Sequence, residues 1–214
     1  MHADEALDLA SLARVLVGVC DSMVVSIDDF THADQAIGDG DHGLAIGRGF
    51  RAAREATLSH PQADVGDLFD GIGLAMLTSM GGASGAIYGT LFRRGGRGLH
   101  GRQTFDADAL ANFLEEGLAG VRERGGAKVG DKTIVDALEP ASIAARASVK
   151  GPLREALAAV AEAAGEGLQR TSDMRATLGR ARALGDRAIG HVDPGALSFT
   201  VMVRELSRLA EEAQ

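Results

Sequence analysis

The sequence predicts an all-α fold of about eight helices. Apolar residues recur at helical spacing along most of the 214 residues, and no stretch shows the sustained alternation of a half-buried strand. Aromatic residues make up only 4% of the chain and Trp is absent, so Ala and Leu must fill a core of closely packed helices. The 29 glycines cluster between the helical segments. Loops at alternate ends of an up-and-down bundle meet on one face, so these glycine-bearing loops are expected to lie together.

Proline, glycine and N-capping aspartate mark where each helix begins and ends. Apolar periodicity fills the intervals between these residues, and the proline within the sixth helix predicts a kink. In order, the predicted helices cover 4–29; 43–58, ended by His60-Pro61; Asp64 or Asp67 to Gly81-Gly82; 86–92, before a basic, glycine-rich connector over 93–101; Asp106 or Asp108 to Gly125-Gly126; Thr133 past Pro140; 151–170; and Asp193 to about 212.

Composition excludes several classes of function. The net charge is −8 and no basic stripe with interleaved aromatics occurs, so nucleic-acid binding is not expected. Cys20 is the single cysteine and lies in an apolar run, which predicts a buried core thiol without a disulfide partner. No signal peptide or apolar run of membrane-spanning length is present. We therefore expect residues 1–214 to form one cytoplasmic domain with no membrane partner.

Residues 37–43 (IGDGDHG) hold three glycines and two carboxylates, a composition that suits neither a helix nor a strand. Asp39 and Asp41 can point into one space, and Asp34 lies within loop reach of it. Three carboxylates this close repel one another unless a cation lies between them. A site built of oxygen ligands favours Mg²⁺ or Ca²⁺ over zinc.

Residues 37–43 have three other interpretations. The glycines spell a dinucleotide-binding fingerprint, but a helix precedes them where that motif needs a buried strand. An EF-hand loop fails because its fifth position, counted from Asp39, is Gly43. A solvated Asp-Gly turn between helices remains open on composition alone.

Three further loops share this glycine-rich character. Residues 81–85 (GGASG) leave the first amides of a helix open to an anion, but this stretch alone favours a plain N-cap at Ser84. Residues 125–133 nearly spell a P-loop, but Asp131 breaks its register and no strand precedes it, so we reject that assignment. In residues 190–196 (GHVDPGA), Asp193 suits an N-cap and Pro194 the first helical turn.

Taken together, IGDGDHG, GGASG, GDKT at 130–133 and GHVDPGA resemble the motifs of the L subunit of dihydroxyacetone kinase, DhaL. The motifs appear in order and the resemblance covers essentially the whole chain. It implies an eight-helix antiparallel barrel with ADP or ATP bound at one end. It also implies that Asp34, Asp39 and Asp41 hold two Mg²⁺ ions bridging the nucleotide phosphates.

The same resemblance implies which residues line the nucleotide. One departure from the family pattern is Ala45, where Asn is frequent, so a polar contact is expected to be absent there. A second is the sequence that follows Arg180, where the family often has Ser and Tyr. The implied phosphate-side residues are His42, Gly43, Leu44, Ala83 and Ser84, and the rest of the pocket is Gly125, Ile134, Arg180, Asp193, Pro194 and Gly195.

The resemblance further implies a division of labour between chains. A histidine on a partner K subunit would bind the triose covalently, so no catalytic residue is expected in this chain. A phosphoprotein of the phosphotransferase system, the M subunit, would recharge bound ADP; in the other version of the family, ATP exchanges freely. The short chain leans toward the first version. The alternatives are an ATP-dependent kinase subunit for another small keto-sugar, such as a tetrulose, and a non-catalytic nucleotide sensor.

Overall fold

The structure, a computed structural model, describes residues 6–59 and 61–213. Within those ranges the chain forms nine α-helices, two short strands and two 3-10 segments. In order these are β1 (Ala6–Asp8), α1 (Leu9–Val25), α2 (Ile27–Ile37), α3 (His42–Ser59), α4 (Val65–Ser79), α5 (Gly82–Gly96), a 3-10 segment (Arg97–Leu99), β2 (Thr104–Asp106), α6 (Ala107–Gly125), α7 (Val135–Ala147), α8 (Leu153–Thr171), a 3-10 segment (Arg180–Ala188) and α9 (Pro194–Glu212).

Eight of these helices close into a ring. Helices α3 to α9 each pack against the next along the chain, α9 packs against α1, and α1 packs against α3. Helix α2 is the extra member, since it packs on α3, on α9 and on the 3-10 segment Arg180–Ala188. The all-α prediction is confirmed, and the barrel of eight helices corresponds to this ring.

Aromatic side chains fill the middle of the barrel. The Phe69 ring lies 4.5 Å from that of Phe113 and 5.6 Å from that of Phe105, measured between centroids. Phe105 belongs to β2, which pairs antiparallel with β1 so that Leu7 lies opposite Phe105. Each strand is three residues long. Strands this short do not produce a detectable period-two pattern, so the sequence does not predict them.

The first predicted helix is divided in two. Residues 4 and 5 of the predicted span lie outside the described residues, and the prediction is wrong for residues 6–8, which pair with β2 as strand β1. The rest of the span forms α1 and part of α2, which are bent by 53°. At the break the Ser26 hydroxyl donates to the Ser22 carbonyl at 3.1 Å, a back-bond that often bends helices. Helix α2 runs on to Ile37 and thereby carries Asp34 as a helical residue.

No single helix in the described ranges is long and apolar enough to span a membrane. The bent pair α1 and α2 passes that test only when the two are taken together, by length and composition.

Most predicted helix boundaries hold. The side chains of Asp64, Asp106 and Asp193 each cap a helix by accepting from a backbone amide, and Gly126 ends α6 in a left-handed conformation. The predicted connector over 93–101 is wrong in its first half, because α5 continues to Gly96 before the 3-10 turn. Glycine lowers helix propensity, but here it lets the helix lie close to its neighbours, so packing outweighs propensity.

A pair of helical glycines tests this close packing. A Cβ on Gly167 of α8 would lie 2.2 Å from the Asp136 carbonyl oxygen, whereas a Cβ on Gly71 of α4 would meet nothing within 4 Å. We expect Gly167→Ala to lower the free energy of unfolding by about 2 kcal/mol, because α7 and α8 must separate. Gly71→Ala should raise it by about 0.5–1 kcal/mol through helix propensity. Urea unfolding of both variants checks the two signs, and equal effects would contradict the packing argument.

Candidate functional site

An open cavity of about 330 Å³ lies where four helices begin. His42 opens α3, Gly82 opens α5 and Pro194 opens α9, while Ile134 directly precedes α7; all four residues line the cavity. The first amides of a helix lack internal partners, and the helix dipole places partial positive charge there. Four helix N-termini around one cavity therefore favour an anionic ligand.

Three carboxylates face the same cavity. Asp34 is buried at the end of α2, and Asp39 and Asp41 are exposed in the loop that follows. One oxygen from each lies within 4.8 Å of the others. A Cβ at Gly38 would lie 2.1 Å from Asp34 Oδ1, and Gly40 has a φ of 79°, so this loop conformation requires glycine at both positions.

Arg180 supplies positive charge beside this triad. Its guanidinium forms an ion pair with Asp39 and lies 3.2 Å from the Asp41 carboxylate. Asp34 instead accepts a hydrogen bond from the His42 amide at 3.1 Å. The donor set fits a hard divalent cation, since carboxylate oxygens are the ligands that Mg²⁺ and Ca²⁺ prefer. A cation bound to Asp39 and Asp41 would compete with the Arg180 guanidinium for the same oxygens.

A chain of polar side chains holds His42. Its Nδ1 lies 3.2 Å from the Ser84 hydroxyl, and its Nε2 lies 3.0 Å from the Ser198 hydroxyl. The Tyr88 hydroxyl, which is fully buried, is 2.8 Å from the same Ser198 oxygen. Burial lowers the pKa of His42, although nearby Asp34 opposes this shift. The imidazole is therefore neutral near pH 7, and its orientation is fixed on both sides.

The loop between α6 and α7 is held by two aspartates. Asp136 accepts from the Gly130 amide at 2.6 Å and from the Thr133 amide at 2.8 Å. Asp131 accepts from the Lys128 amide at 2.8 Å and from the hydroxyl of Thr177. Hydrogen bonds from Thr177 and Lys128 hold the pKa of Asp131 below its ordinary value. These carboxylates fold the loop, which explains why the near P-loop pattern carries Asp131.

Lys132 joins this loop to two other segments. Its side chain is 1% exposed, and its ammonium donates to the backbone carbonyls of Thr171 and His191 at 2.5 Å each. The Thr171 hydroxyl in turn accepts from the Asp193 amide at 2.9 Å. The end of α8 and the start of α9 are thereby tied together beside the cavity. Burial lowers the pKa of Lys132, while Asp193, Asp173 and Asp136 oppose that effect.

The structure brings most of the predicted site residues to the cavity and leaves three away from its lining. Gly43 is buried against α2, where a Cβ would lie 2.3 Å from the Ile27 carbonyl oxygen; Leu44 is 59% exposed; and Gly125 lies near Ile87. The roles of these three stay predictions. The predicted residues that line the cavity are Asp34, Asp39, Asp41, His42, Ala83, Ser84, Ile134, Arg180, Asp193, Pro194 and Gly195.

Sequence reasoning missed four residues at or behind this wall: Arg48, Tyr88, Lys132 and Ser198. A signal was present for two of them. Tyr88 lies four residues after Ser84, and Ser198 four after Pro194, so each shares a helix face with a predicted site residue. Lys132 belongs to the GDKT motif at 130–133, but no role is predicted for it because the P-loop assignment is rejected.

Asp193 gives a pH-dependence that can be measured. Desolvation raises the pKa of Asp193 from 3.8 to about 7. The hydrogen bond from the Ala196 amide and the charge of Lys132 lower this pKa but do not cancel the effect of burial. Between pH 3.8 and about 7 the folded chain keeps a proton on Asp193 that the unfolded chain releases. Asp193 therefore makes the free energy of unfolding fall as the pH rises through this range, and it adds no further pH-dependence above about 7. Asp193→Asn keeps an acceptor for the Ala196 amide but cannot titrate. We expect the variant to gain stability relative to wild type as pH rises through this window.

Urea unfolding of both proteins at pH values between 4 and 8, without nucleotide or metal, tests this expectation. A stability difference that stays constant over that range would contradict the raised pKa. Asp186→Asn, an exposed carboxylate in the 3-10 segment Arg180–Ala188, serves as the control and should show no such slope.

Comparison with known proteins assigns a family. Residues 36–208 match the DAK2 domain. The chain is 42% identical over 170 residues to the ADP-binding subunit DhaL of PEP-dependent dihydroxyacetone kinase 1 from Listeria innocua, covering 79% of this chain and 80% of that protein. It is 34% identical over 178 residues to L-erythrulose 1-kinase from Mycolicibacterium smegmatis, covering 81% of this chain and 31% of that protein.

Among solved structures, the chain is similar to the dihydroxyacetone kinase from C. freundii, crystallised in complex with AMP-PNP and Mg²⁺. The TM-score is 0.72 at 26% sequence identity, over 95% of this chain and 34% of that one. This chain thus spans about a third of that kinase. The match of most of the chain to one domain, together with the identity to DhaL, shows that the chain belongs to the DAK2 domain family.

Proposed function

We propose that this chain is the nucleotide-carrying subunit of a dihydroxyacetone kinase, with residues 1–214 acting as one nucleotide-binding domain. The observation that carries the proposal is the meeting of a carboxylate triad and four helix N-termini at one cavity. Helix N-termini attract phosphates, whereas the carboxylates of Asp34, Asp39 and Asp41 repel them unless cations intervene. Phosphates bridged to carboxylates by divalent cations satisfy both sets of groups. Membership of the DAK2 family supports the same conclusion.

In this proposal Asp34, Asp39 and Asp41 hold two Mg²⁺ ions. Bound there, Mg²⁺ would neutralise charge on the nucleotide phosphates and on the phosphoryl group in transfer. When the carboxylates serve as ligands, the Arg180 guanidinium loses its partners and becomes available to pair with a phosphate oxygen. Arg180 thus has a counter-ion in either state.

In this proposal the remaining walls of the cavity contact different parts of the nucleotide. The hydroxyl of Ser84 and the open amides at the start of α5 face the phosphates, beside a neutral His42. Ile134, Pro194 and Gly195 give the other side of the cavity an apolar surface suited to a base. Gly43, Leu44 and Gly125 belong to the predicted set and lie outside the cavity lining, so their contribution needs its own test.

The sugar is expected on a second chain. We infer that a partner K subunit carries dihydroxyacetone on a histidine, and that the nucleotide cavity faces it. We further infer that a phosphoprotein of the phosphotransferase system recharges ADP in place. The name of the Listeria relative, an ADP-binding subunit of a PEP-dependent dihydroxyacetone kinase, supports a kinase divided between subunits and a phosphoryl group that comes from PEP.

Native mass spectrometry of the protein purified without added nucleotide is the first test. A mass excess equal to ADP plus two Mg²⁺ would support the site and a retained nucleotide. A bare chain that takes up ATP and Mg²⁺ only on addition would favour an exchanging, ATP-dependent subunit. A chain that never binds nucleotide would overturn the proposal. Phosphoryl transfer to dihydroxyacetone, measured with a K subunit supplied, then separates a kinase subunit from a nucleotide sensor.

A second candidate substrate is erythrulose, because L-erythrulose 1-kinase is 34% identical to this chain. The nucleotide cavity would be the same, since the proposal places the sugar pocket on the partner. Transfer assays with one K subunit and both sugars discriminate the two functions. A higher kcat/KM for erythrulose would assign the complex to the tetrulose.

A further inference from the structure

A second polar groove of about 320 Å³ lies between α5 and α6, outside the nucleotide cavity. We call it the arginine groove, and it comprises Arg93 and Arg94 on α5, Arg97 at the start of the 3-10 segment that follows, and Arg124 on α6. Arg97 follows Arg94 by three residues and Arg93 by four, about one helical turn, so it lies beside both. Arg93 lies about 16 Å along the helix axis from Gly82, which lines the nucleotide cavity. The groove is therefore a separate feature of the barrel.

Two glycines shape the floor of the arginine groove. A Cβ at Gly73 of α4 would lie 2.5 Å from Arg93 Cγ, and a Cβ at Gly120 of α6 would lie 2.6 Å from Arg94 Cγ. The stems of these two arginines thus lie directly on the backbones of neighbouring helices. Packing of this kind restricts side-chain rotamers before any ligand arrives, which lowers the entropy lost on binding.

The charges in the groove are only half balanced. Arg93 pairs with Asp70 at 2.8 Å and Arg94 with Glu123 at 2.7 Å. Within residues 6–59 and 61–213, Arg97 and Arg124 have no ion pair, and the buried Nε of Arg94 has no hydrogen-bond acceptor. Four guanidinium groups and two carboxylates leave two positive charges, in a chain whose net charge is −8. An excess of this size matches one dianion.

We propose that the arginine groove binds the phosphate group of a small phosphorylated compound. Guanidinium groups bind phosphate through paired, parallel hydrogen bonds, and the two arginines without an ion pair, Arg97 and Arg124, both line the groove. The groove, at about 320 Å³, is large enough for an anion of this size. The phosphate belongs either to free inorganic phosphate or to a phosphate monoester, and the experiment separates these two sources.

The test follows the arginine Nε–H resonances of ¹⁵N-labelled protein during titration without Mg²⁺, at constant ionic strength. The probes are inorganic phosphate and glycerol 3-phosphate, each up to about 20 mM. We expect saturable shifts in wild type and affinity at least about tenfold weaker in the double variant Arg97→Gln/Arg124→Gln. Arg14→Gln/Arg51→Gln removes the same charge from exposed positions on α1 and α3 and should bind as wild type does.

The outcomes distinguish the possibilities. Tighter binding of glycerol 3-phosphate assigns the groove to a monoester, and equal or weaker binding assigns it to inorganic phosphate. Arg97→Lys/Arg124→Lys keeps the charge but not the paired geometry, so intermediate affinity is expected. Thermal melting of each variant verifies folding. No saturable shift in wild type, or equal affinities in the Gln variant and wild type, would overturn the proposal without affecting the proposed kinase function.

Discussion

Asp41→Asn is expected to abolish Mg²⁺-dependent nucleotide binding while leaving the fold intact. The Asp41 side chain is exposed, and its carboxylate forms an ion pair with the Arg180 guanidinium at 3.2 Å. The stability of the barrel therefore does not depend on the charge of Asp41. In the proposed site, however, the substitution removes one of three carboxylate ligands. Loss of a ligand should weaken metal affinity by more than the roughly 10–100-fold typical for residues that only support ligands. Calorimetric titration with ADP, with and without Mg²⁺, measures this effect.

The control for Asp41→Asn is Asp29→Asn, which removes the same charge from an exposed position in the first turn of α2. Its ADP affinity should match wild type in Mg²⁺. Asp39→Asn should behave like Asp41→Asn, because both carboxylates belong to the triad. Unchanged Mg²⁺-dependent ADP affinity in either variant would remove these residues from the metal site.

Lys132→Met should give the largest loss of stability among single substitutions near the cavity. The buried ammonium donates to the carbonyls of Thr171 and His191, and methionine keeps the stem while removing both hydrogen bonds. Loss of these two hydrogen bonds from a charged donor, one to a buried carbonyl and one to a partly buried carbonyl, costs about 3 kcal/mol in the free energy of unfolding. For a chain of this size the melting temperature should fall by about 6–12 °C. Thermal unfolding followed by circular dichroism measures the change.

Lys128→Met provides the matched comparison, because Lys128 is an exposed residue of the same loop. It should melt within about 1 °C of wild type. Lys132 has a φ of 60°, and methionine keeps whatever strain that conformation imposes, so the comparison isolates the ammonium. A Lys132→Met protein as stable as wild type would mean that the Thr171 and His191 contacts contribute little.

The fold was predictable where apolar periodicity and capping residues mark a helix. Asp64 and Asp106 stop or start helices through their own side chains, so their effect is local and visible in the sequence. The continuation of α5 to Gly96 depends on packing between helices. Packing of that kind joins residues far apart in the chain, and a single sequence does not record it.

In the candidate site, too, local features were predictable and long-range contacts were not. The carboxylate triad is local, since Asp34, Asp39 and Asp41 lie within eight residues and turn chemistry brings them together. The contacts of Lys132 with Thr171 and His191 span 39 and 59 residues, and the His42–Ser198 contact spans 156. Gly43 was predicted to line the nucleotide, but its close packing against α2 is enough to explain why this position is glycine. Short-range chemistry was therefore predictable, and the supporting network was not.

The segment between α8 and α9 is closed at its base. Besides the Lys132 contacts, the Gly190 amide donates to the Ser172 carbonyl at 2.8 Å, and the segment between these ties carries Arg180 over the carboxylates. A loop pinned in this way changes the entropy of closure only slowly with its length. Changes in the length of this segment therefore cost little in closure entropy. The part of the chain that carries Arg180 over the carboxylates of the proposed site can therefore differ in length while the helices of the barrel stay the same.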